Sequence, residues 1–275
     1  MCRLLFGIAL VLAGGMVQSA LAADPCVKDS LRARFSSFFS KPAAESHAQP
    51  AVQKEALKPM MTHAAVASAE KLTIDSEVKA AGMMPRGSAV MTSAGLLEAQ
   101  GIRNIIHAAS GSMTKSGPKF GPNLDGVVNS VHNSLELARR NGHQRVAVPF
   151  IGGKIFIDSI GIPAQELANQ IVDAALKSRG NLELRFVTFG AEDTTLFQNA
   201  LKRHASEVSP QLAQVTPGSI TDFNVHGASA IINAANMEIQ FGGGLSGAIG
   251  RATGRADQIN GEAQKAIREF YQTHQ

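Results

Sequence analysis

The chain has 275 residues, of which 44% are hydrophobic and 5% aromatic, with no Trp. That length permits one large domain or two small ones, and the balance is that of a globular protein built on aliphatic side chains. The formal charge is +4 with a pI near 9.2, yet no long run of Lys or Arg carries it, so specific nucleic-acid binding is not indicated.

In chain order, the N-terminus reads as an export signal. Arg3 precedes an apolar run, and Ala20 and Ala22 give the small-x-small pattern of a signal-peptidase site. The run is shorter than the roughly 20 apolar residues that a membrane span needs. Residues 1–22 are therefore expected to be a cleaved signal, which leaves no stable membrane span and exports the mature chain to the periplasm or beyond the cell. An uncleaved anchor is the alternative. Cleavage removes Cys2, and Cys26 alone forms neither an internal disulfide nor a multi-cysteine metal site. Residues 23–75 mix Ser, Ala, Pro and charge without sustained alternation, and read as a linker or loosely ordered arm. Short helices are possible near Ser30–Phe39 and Val66–Glu70, and Phe35, Phe38 and Phe39 offer a contact for the domain or a partner.

After about Ile74, apolar runs alternate with helical patterns. Strands are expected at Ser88–Thr92, Ile102–Ala108, Arg145–Phe150, Leu182–Phe189, Gln211–Val215 and Ala228–Ile232. Helices are expected at Val127–Arg140, Pro163–Lys177, Thr194–Lys202, Leu245–Ala252 and Ile259–Tyr271. Strands separated by helices predict an α/β sheet covered on both faces.

The segment Ile231 to Gly254, IINAANMEIQFGGGLSGAIGRATG, carries the chemistry. Gly242, Gly243 and Gly244 follow a buried strand and open a helix, so backbone N–H groups and the positive end of the helix dipole converge on one place. Such a place suits a phosphate. A plain tight turn is the alternative, and three consecutive glycines fit it less well. Gly242-x-Gly244-x-x-Gly247 also fits a dinucleotide fingerprint, but that reading needs a following strand with an acid, and here a helix and the chain end follow. Asn233 and Asn236 offer both donor and acceptor atoms, one for the loop and one for a sugar. No nucleophile elbow, P-loop or metal cluster is present in the sequence, and no cofactor is expected. His107, without a placed partner, reads as a hydrogen-bonded core residue rather than an acid–base catalyst.

These motifs resemble the macro domain family, hydrolytic members of the MacroD type included. GSIT at Gly218–Thr221, NAAN at Asn233–Asn236, GGG at Gly242–Gly244 and AIGRATG at Ala248–Gly254 match that family's opening segment. PRGSAVMT at Pro85–Thr92, IIHA at Ile105–Ala108, Ser134–Phe156 and Leu182–Leu201 are similar to its later segments, but here they come first. The resemblance implies a circularly permuted three-layer α/β/α macro domain with a central mixed sheet over residues 76–275, joined at Lys202–Pro217.

The resemblance also implies a ligand, ADP-ribose or ADP-ribosylated protein. Gly242, Gly243 and Gly244, with Leu245 and Ser246 after them, would grip the diphosphate from one side. The loop Ile151, Gly152, Gly153, Lys154, Ile155 and Phe156 would grip it from the other. Phe156 would wall the distal ribose, and Asn236 would bond that ribose, with Asn233 nearby, and position it for catalysis. Phe189 would lie near the adenosine, and Ser219 and Ile220 at the adenine. Three departures stand out. Ser219 replaces an acid that accepts from the adenine amine, so selectivity without charge is weaker. Ser246 stands where hydrolytic members of the MacroD type often carry an acid, although some active members lack it and let the substrate's own phosphate assist the water. Lys154 replaces a glycine, and Asp158 is the nearest acid after that loop. A hydrolase of mono-ADP-ribosyl or O-acetyl-ADP-ribose esters, a non-catalytic reader, and an exported effector or scaffold all stay open. The sequence does not set the oligomeric state.

Overall fold

Successive residues along the central strands are buried on opposite faces, and this alternation divides the molecule into three layers. The computed structural model describes residues 64–66, 76–113 and 120–274, with backbone alone for residues 64–66 and for residue 155. These residues belong to the compact unit formed by residues 56–275. The expected signal and most of the expected arm, including Phe35, Phe38 and Phe39, lie outside the described residues.

Seven strands form one sheet: β1 (Ala64–Val66), β2 (Ala89–Ser93), β3 (Asn104–Ala109), β4 (Arg145–Val148), β5 (Glu183–Thr188), β6 (Ala213–Pro217) and β7 (Ala230–Ala235). Their order is β1-β2-β3-β7-β4-β5-β6. The pairs β1–β2 and β2–β3 are antiparallel, and every pair from β3 to β6 is parallel, so the sheet is mixed. The last strand in the chain is inserted between β3 and β4, where Ile231 pairs with both Ile105 and Ala147.

The helices are α1 (Ser76–Ala80), α2 (Leu124–Arg140), α3 (Ile157–Ile160), α4 (Ala164–Ser178), α5 (Ala191–Lys202), α6 (Phe223–His226), α7 (Gly244–Thr253) and α8 (Ala256–Thr273). Ile106, Val146, Val148, Phe186 and Ile232 share a core with Val131 and Leu135 of α2, Ile171 of α4 and Phe197 of α5. Their neighbours Ile105, Ala147, Val187 and Ile231 turn the other way, to Ile249 of α7 and Ile259 of α8. Burial of each large aliphatic side chain contributes roughly 1.5–3 kcal/mol. A one-residue slip would send each strand's set to the wrong face, so the pattern also fixes the register. The mixed three-layer α/β class expected from the sequence is therefore the observed one.

The differences in boundaries have local causes. The strand expected to reach Phe150 stops at Val148 because Pro149 has no N–H to donate. The helix expected from Pro163 begins at Ala164, with Pro163 as its extended N-cap. Asn123 was not expected to start a helix, yet its side chain accepts from Gly126 N at 2.8 Å and opens α2. Val66, placed at the start of a short helix by the sequence, instead closes β1, so the sheet reaches upstream of residue 76. No helix among the described residues is long and apolar enough to cross a membrane.

Candidate functional site

The parallel strands all end at one edge of the sheet, and the chain leaves that edge through glycine-bearing loops. Pro149 and Phe150 follow β4, Phe189 follows β5, Gly218 and Ser219 follow β6, and Asn236 follows β7. Because β7 lies between β3 and β4, the loops after β4 and β7 diverge from adjacent strand ends. A crevice of this kind is where open α/β sheets bind ligands.

Two adjoining lobes occupy it. One, of about 380 Å³, is walled by Val187, Thr188, Phe189, Asp193, Ser219 and Ile220. The other, of about 320 Å³, is walled by Gly152, Gly153, Phe156, Asn236, Gly242, Gly243 and Ser246. Phe150, Lys154, Gly244 and Leu245 line both, so they stand at the junction. Residues from both expected loops and both expected ends thus meet around one cleft. Phe189 is 90% exposed, leaving its ring available at the mouth. A larger polar cavity, about 500 Å³, opens where β4 and β5 begin, but its Arg145 is held by Glu183 at 2.6 Å.

The glycine loop has distinct parts. Gly243 is the extended N-cap of α7, and its carbonyl accepts the first helical bond, from Gly247 N at 3.1 Å. The N–H groups of residues 243–246 therefore have no partner within the helix. Gly244 has φ +56 and needs glycine for its backbone. Gly242 and Gly243 do not: neither is left-handed, and a Cβ on either would meet nothing within 4 Å. What their missing side chains leave open is space in the cleft.

Two expected ligand residues lie elsewhere. Asn233 is fully buried and lines neither lobe, because its side chain ties the core to the loop. Its Nδ2 donates to Ser246 Oγ at 3.2 Å and to His107 Nδ1 at 3.1 Å. Ile151 is also fully buried, packed in the core under α2 and α4. The side chain of Ile155 lies outside the described residues; its backbone sits in the 3-10 turn Lys154–Phe156. Asp158, exposed on α3, lines neither lobe.

Asn236 lines the second lobe and is held from behind. Its Oδ1 accepts from Gln240 N at 3.1 Å, and its carbonyl accepts from Ile239 N at 3.2 Å. Ile239 is left-handed, with φ 51, which a β-branched residue adopts only when its surroundings impose it. Its burial beside Ala235 and Ala263 supplies that constraint.

Ser246 is 8% exposed and receives Asn233 Nδ2 and, at 3.5 Å, Gly242 N. Its hydroxyl holds the loop. Behind it, His107 is fully buried, as the sequence reading expected. Nδ1 accepts from Asn233, so Nε2 carries the proton and donates to Thr92 Oγ1 at 3.0 Å. Burial pushes the His107 imidazole down to about 3.

Lys154 and Asp193 were not paired by the sequence. Lys154 has φ 58, an unfavourable conformation for a side chain of its kind, and its Nζ lies 3.5 Å from Asp193 Oδ1. Asp193 sits in the first turn of α5, facing the first lobe. A GxED pattern after a strand is too common a helix start to have singled it out.

Fold and cleft together define an α/β protein whose strand ends and helix start are arranged for a phosphate-bearing ligand. Residues 61–171 match the model of the Macro domain family, and the resemblance read from the sequence is thus shown over that stretch. An O-acetyl-ADP-ribose deacetylase of Citrobacter rodentium is 29% identical over 126 residues, covering 46% of this chain and 68% of the relative. A macro domain-containing protein of Vibrio parahaemolyticus is 32% identical over 124 residues, covering 44% of this chain and 65% of the relative. The chain therefore spans about two thirds of the length of these relatives. A solved macrodomain variant of Oceanobacillus iheyensis is 21% identical with a TM-score of 0.35, covering 46% of this chain and 63% of that one.

Proposed function

We propose that the cleft binds ADP-ribose, free or attached to protein. The observation that carries this reading is the pair Gly242 and Gly243, whose glycine identity the fold does not require and whose open side faces the cleft. The free N–H groups of the α7 start and the Lys154 ammonium give the junction its attraction for a diphosphate. Lobes on either side fit a ligand with a sugar or nucleoside at each end of that diphosphate. Isothermal calorimetry of the full chain with ADP-ribose tests this. Saturable heat is expected in the micromolar range, and Asn236→Ala should weaken it roughly three- to tenfold, the loss of one hydrogen bond. No heat at millimolar ADP-ribose sinks the proposal.

Hydrolysis of an ADP-ribosyl ester is the second reading, favoured by the placement of Asn236 in the lobe expected to hold the distal ribose. It ranks lower because Ser246 commits its hydroxyl to Asn233 and Gly242. Loss of turnover in Asn236→Ala far beyond its loss of binding would raise it above a reader.

We also infer that the segment order is a circular permutation. The family match lies within residues 61–171, whereas NAAN and GGG follow at residues 233–244. The stretch from Lys202, where α5 ends, to Ala213, where β6 begins, is the join. A rearranged chain beginning at β6 and ending after α5, with α8 linked to the segment that enters β1, should fold and bind ADP-ribose as the parent does. Failure of that chain to fold, with linkers of several lengths, counts against it.

A further inference from the structure

Asp193 is a carboxylate only 8% exposed, yet neither of its oxygens accepts a hydrogen bond among the described residues. Its one ion pair there is with Lys154 at 3.5 Å, and the Lys154 side chain is 69% exposed. Neither oxygen is sealed from solvent, so the carboxylate opens on the first lobe, where one loose contact to a solvated ammonium contributes little. The other member of the pair is strained, since Lys154 holds a left-handed backbone conformation. A strained residue that lines both lobes is thus tied, by one loose contact, to a carboxylate that opens on the first. Thr188 and Thr194, near Asp193, bond to each other at 2.8 Å and do not serve the carboxylate.

The positions explain what each group is free to do. Lys154 lines both lobes together with Gly244 and Leu245 of the α7 start, so a small swing of its long side chain away from Asp193 would serve a diphosphate there. Asp193 lines only the first lobe, with Phe189 and Ser219. Ser219 offers a hydroxyl, which is already bonded to Thr221 Oγ1 at 2.9 Å and to Thr221 N at 3.3 Å. Asp193 is therefore the strong acceptor of that lobe, with its lone pairs unspent.

We propose that Lys154 and Asp193 form a ligand-exchanged pair, in which the diphosphate takes the ammonium and the released Asp193 carboxylate accepts a hydrogen bond from the nucleoside end of the ligand. Asp193 is then the specificity-determining residue of the first lobe, and Lys154 the group that couples phosphate recognition to it. This rests on the ADP-ribose reading given above.

Exchange predicts effects of opposite sign for two ligands. Asp193→Ala should weaken ADP-ribose about tenfold, through loss of a charge-assisted hydrogen bond. The same change should strengthen binding of inorganic pyrophosphate by about threefold, because it frees Lys154 from an exposed ion pair. Lys154→Gly should weaken both ligands, while glycine accepts the left-handed conformation, so the variant should melt no lower than the wild type. Asp193→Asn keeps the shape and one acceptor, and should retain most of the ADP-ribose affinity. The experiment is calorimetric titration of the full chain and the three variants with ADP-ribose and with pyrophosphate, alongside thermal melts.

Parallel loss of both ligands in Asp193→Ala, with Asp193→Asn equally weak, would make Asp193 merely structural and overturn the proposal. Parallel gain of both would make it a simple repulsive charge and overturn it too. Wild-type binding of ADP-ribose without detectable pyrophosphate binding would place the affinity away from Lys154 and count against the exchange. Failure of the wild type to bind ADP-ribose would instead remove the reading beneath it.

Discussion

Gly243→Val is expected to fold with the stability of the wild type and to bind ADP-ribose roughly a hundredfold more weakly, about 2.7 kcal/mol. Gly243 has φ −85 and ψ −176, an extended conformation that a β-branched residue adopts readily. A Cβ there would meet no atom within 4 Å, so no repacking is demanded. The isopropyl group would instead fill the second lobe, beside Asn236 and Phe156, and hold a phosphate away from the α7 N–H groups. Loss of two charge-assisted hydrogen bonds, at roughly 1.5–3 kcal/mol each before compensation, is enough for an effect of that size.

Gly247 supplies the contrast. A Cβ on it would stand 2.3 Å from the carbonyl oxygen of Gly242, a backbone atom that moves only if the loop moves. Gly247→Ala should therefore lower the melting temperature as well as the affinity, at a cost of roughly 1–3 kcal/mol for the forced shift. The two variants separate a glycine kept for the ligand from a glycine kept for the fold. Equal melting temperatures for both variants, or wild-type affinity in Gly243→Val, would contradict the assignment.

The sequence made legible whatever depends on local period and backbone chemistry. The alternating runs at Ile105–Ile106, Val146–Val148 and Ile231–Ile232 set the layers, because a period of two buries both faces of a covered sheet. The triple glycine set the loop, because few other residues leave backbone N–H groups open to an anion. Contacts between distant segments stayed hidden. Asn233 reads as a sugar ligand when only NAAN is in view, yet its partner His107 lies 126 residues away and draws its side chain into the core. Lys154 and Asp193 follow different strands, and only the adjacency of β4 and β5 brings them together. Left-handed Ile239 also gives no signal in the sequence, since its conformation is imposed by the core around it.

The same buried histidines make the fold sensitive to acid, with an expected loss of about 4 kcal/mol between pH 7 and pH 5. His107 is pushed down to about 3 by burial. His143 is pushed down to about 4, first by burial and then by the charge of Arg103. Both stay neutral in the folded chain at pH 5, whereas in the unfolded chain each titrates near 6.5. The unfolded state therefore binds more protons below pH 6.5, and stability falls with pH from there until the folded groups themselves titrate. At 1.36 kcal/mol per unit, 1.5 units below the unfolded value costs about 2 kcal/mol for each group. Hydrogen bonding points the same way. His107 Nδ1 accepts from Asn233, so a proton there would face the Asn233 N–H. His143 Nδ1 contacts Ser229 Oγ at 2.9 Å, while its Nε2 is buried without a partner among the described residues, so a second N–H would face no acceptor. His226, lowered chiefly by burial, adds to the effect in the same direction. A loss of this size is a large share of the roughly 5–15 kcal/mol that holds a typical domain folded. Urea unfolding of the full chain should show the midpoint dropping steeply from pH 7 to pH 5 with an unchanged slope, and His143→Gln should remove about half of that drop. A midpoint that does not move across this interval would mean that the two imidazoles are not held neutral. Because His107 stays neutral in the folded chain, its bond to Asn233 and that of Asn233 to Ser246 are intact at pH 5, so the affinity of the folded protein for ADP-ribose should hold while the unfolding midpoint falls.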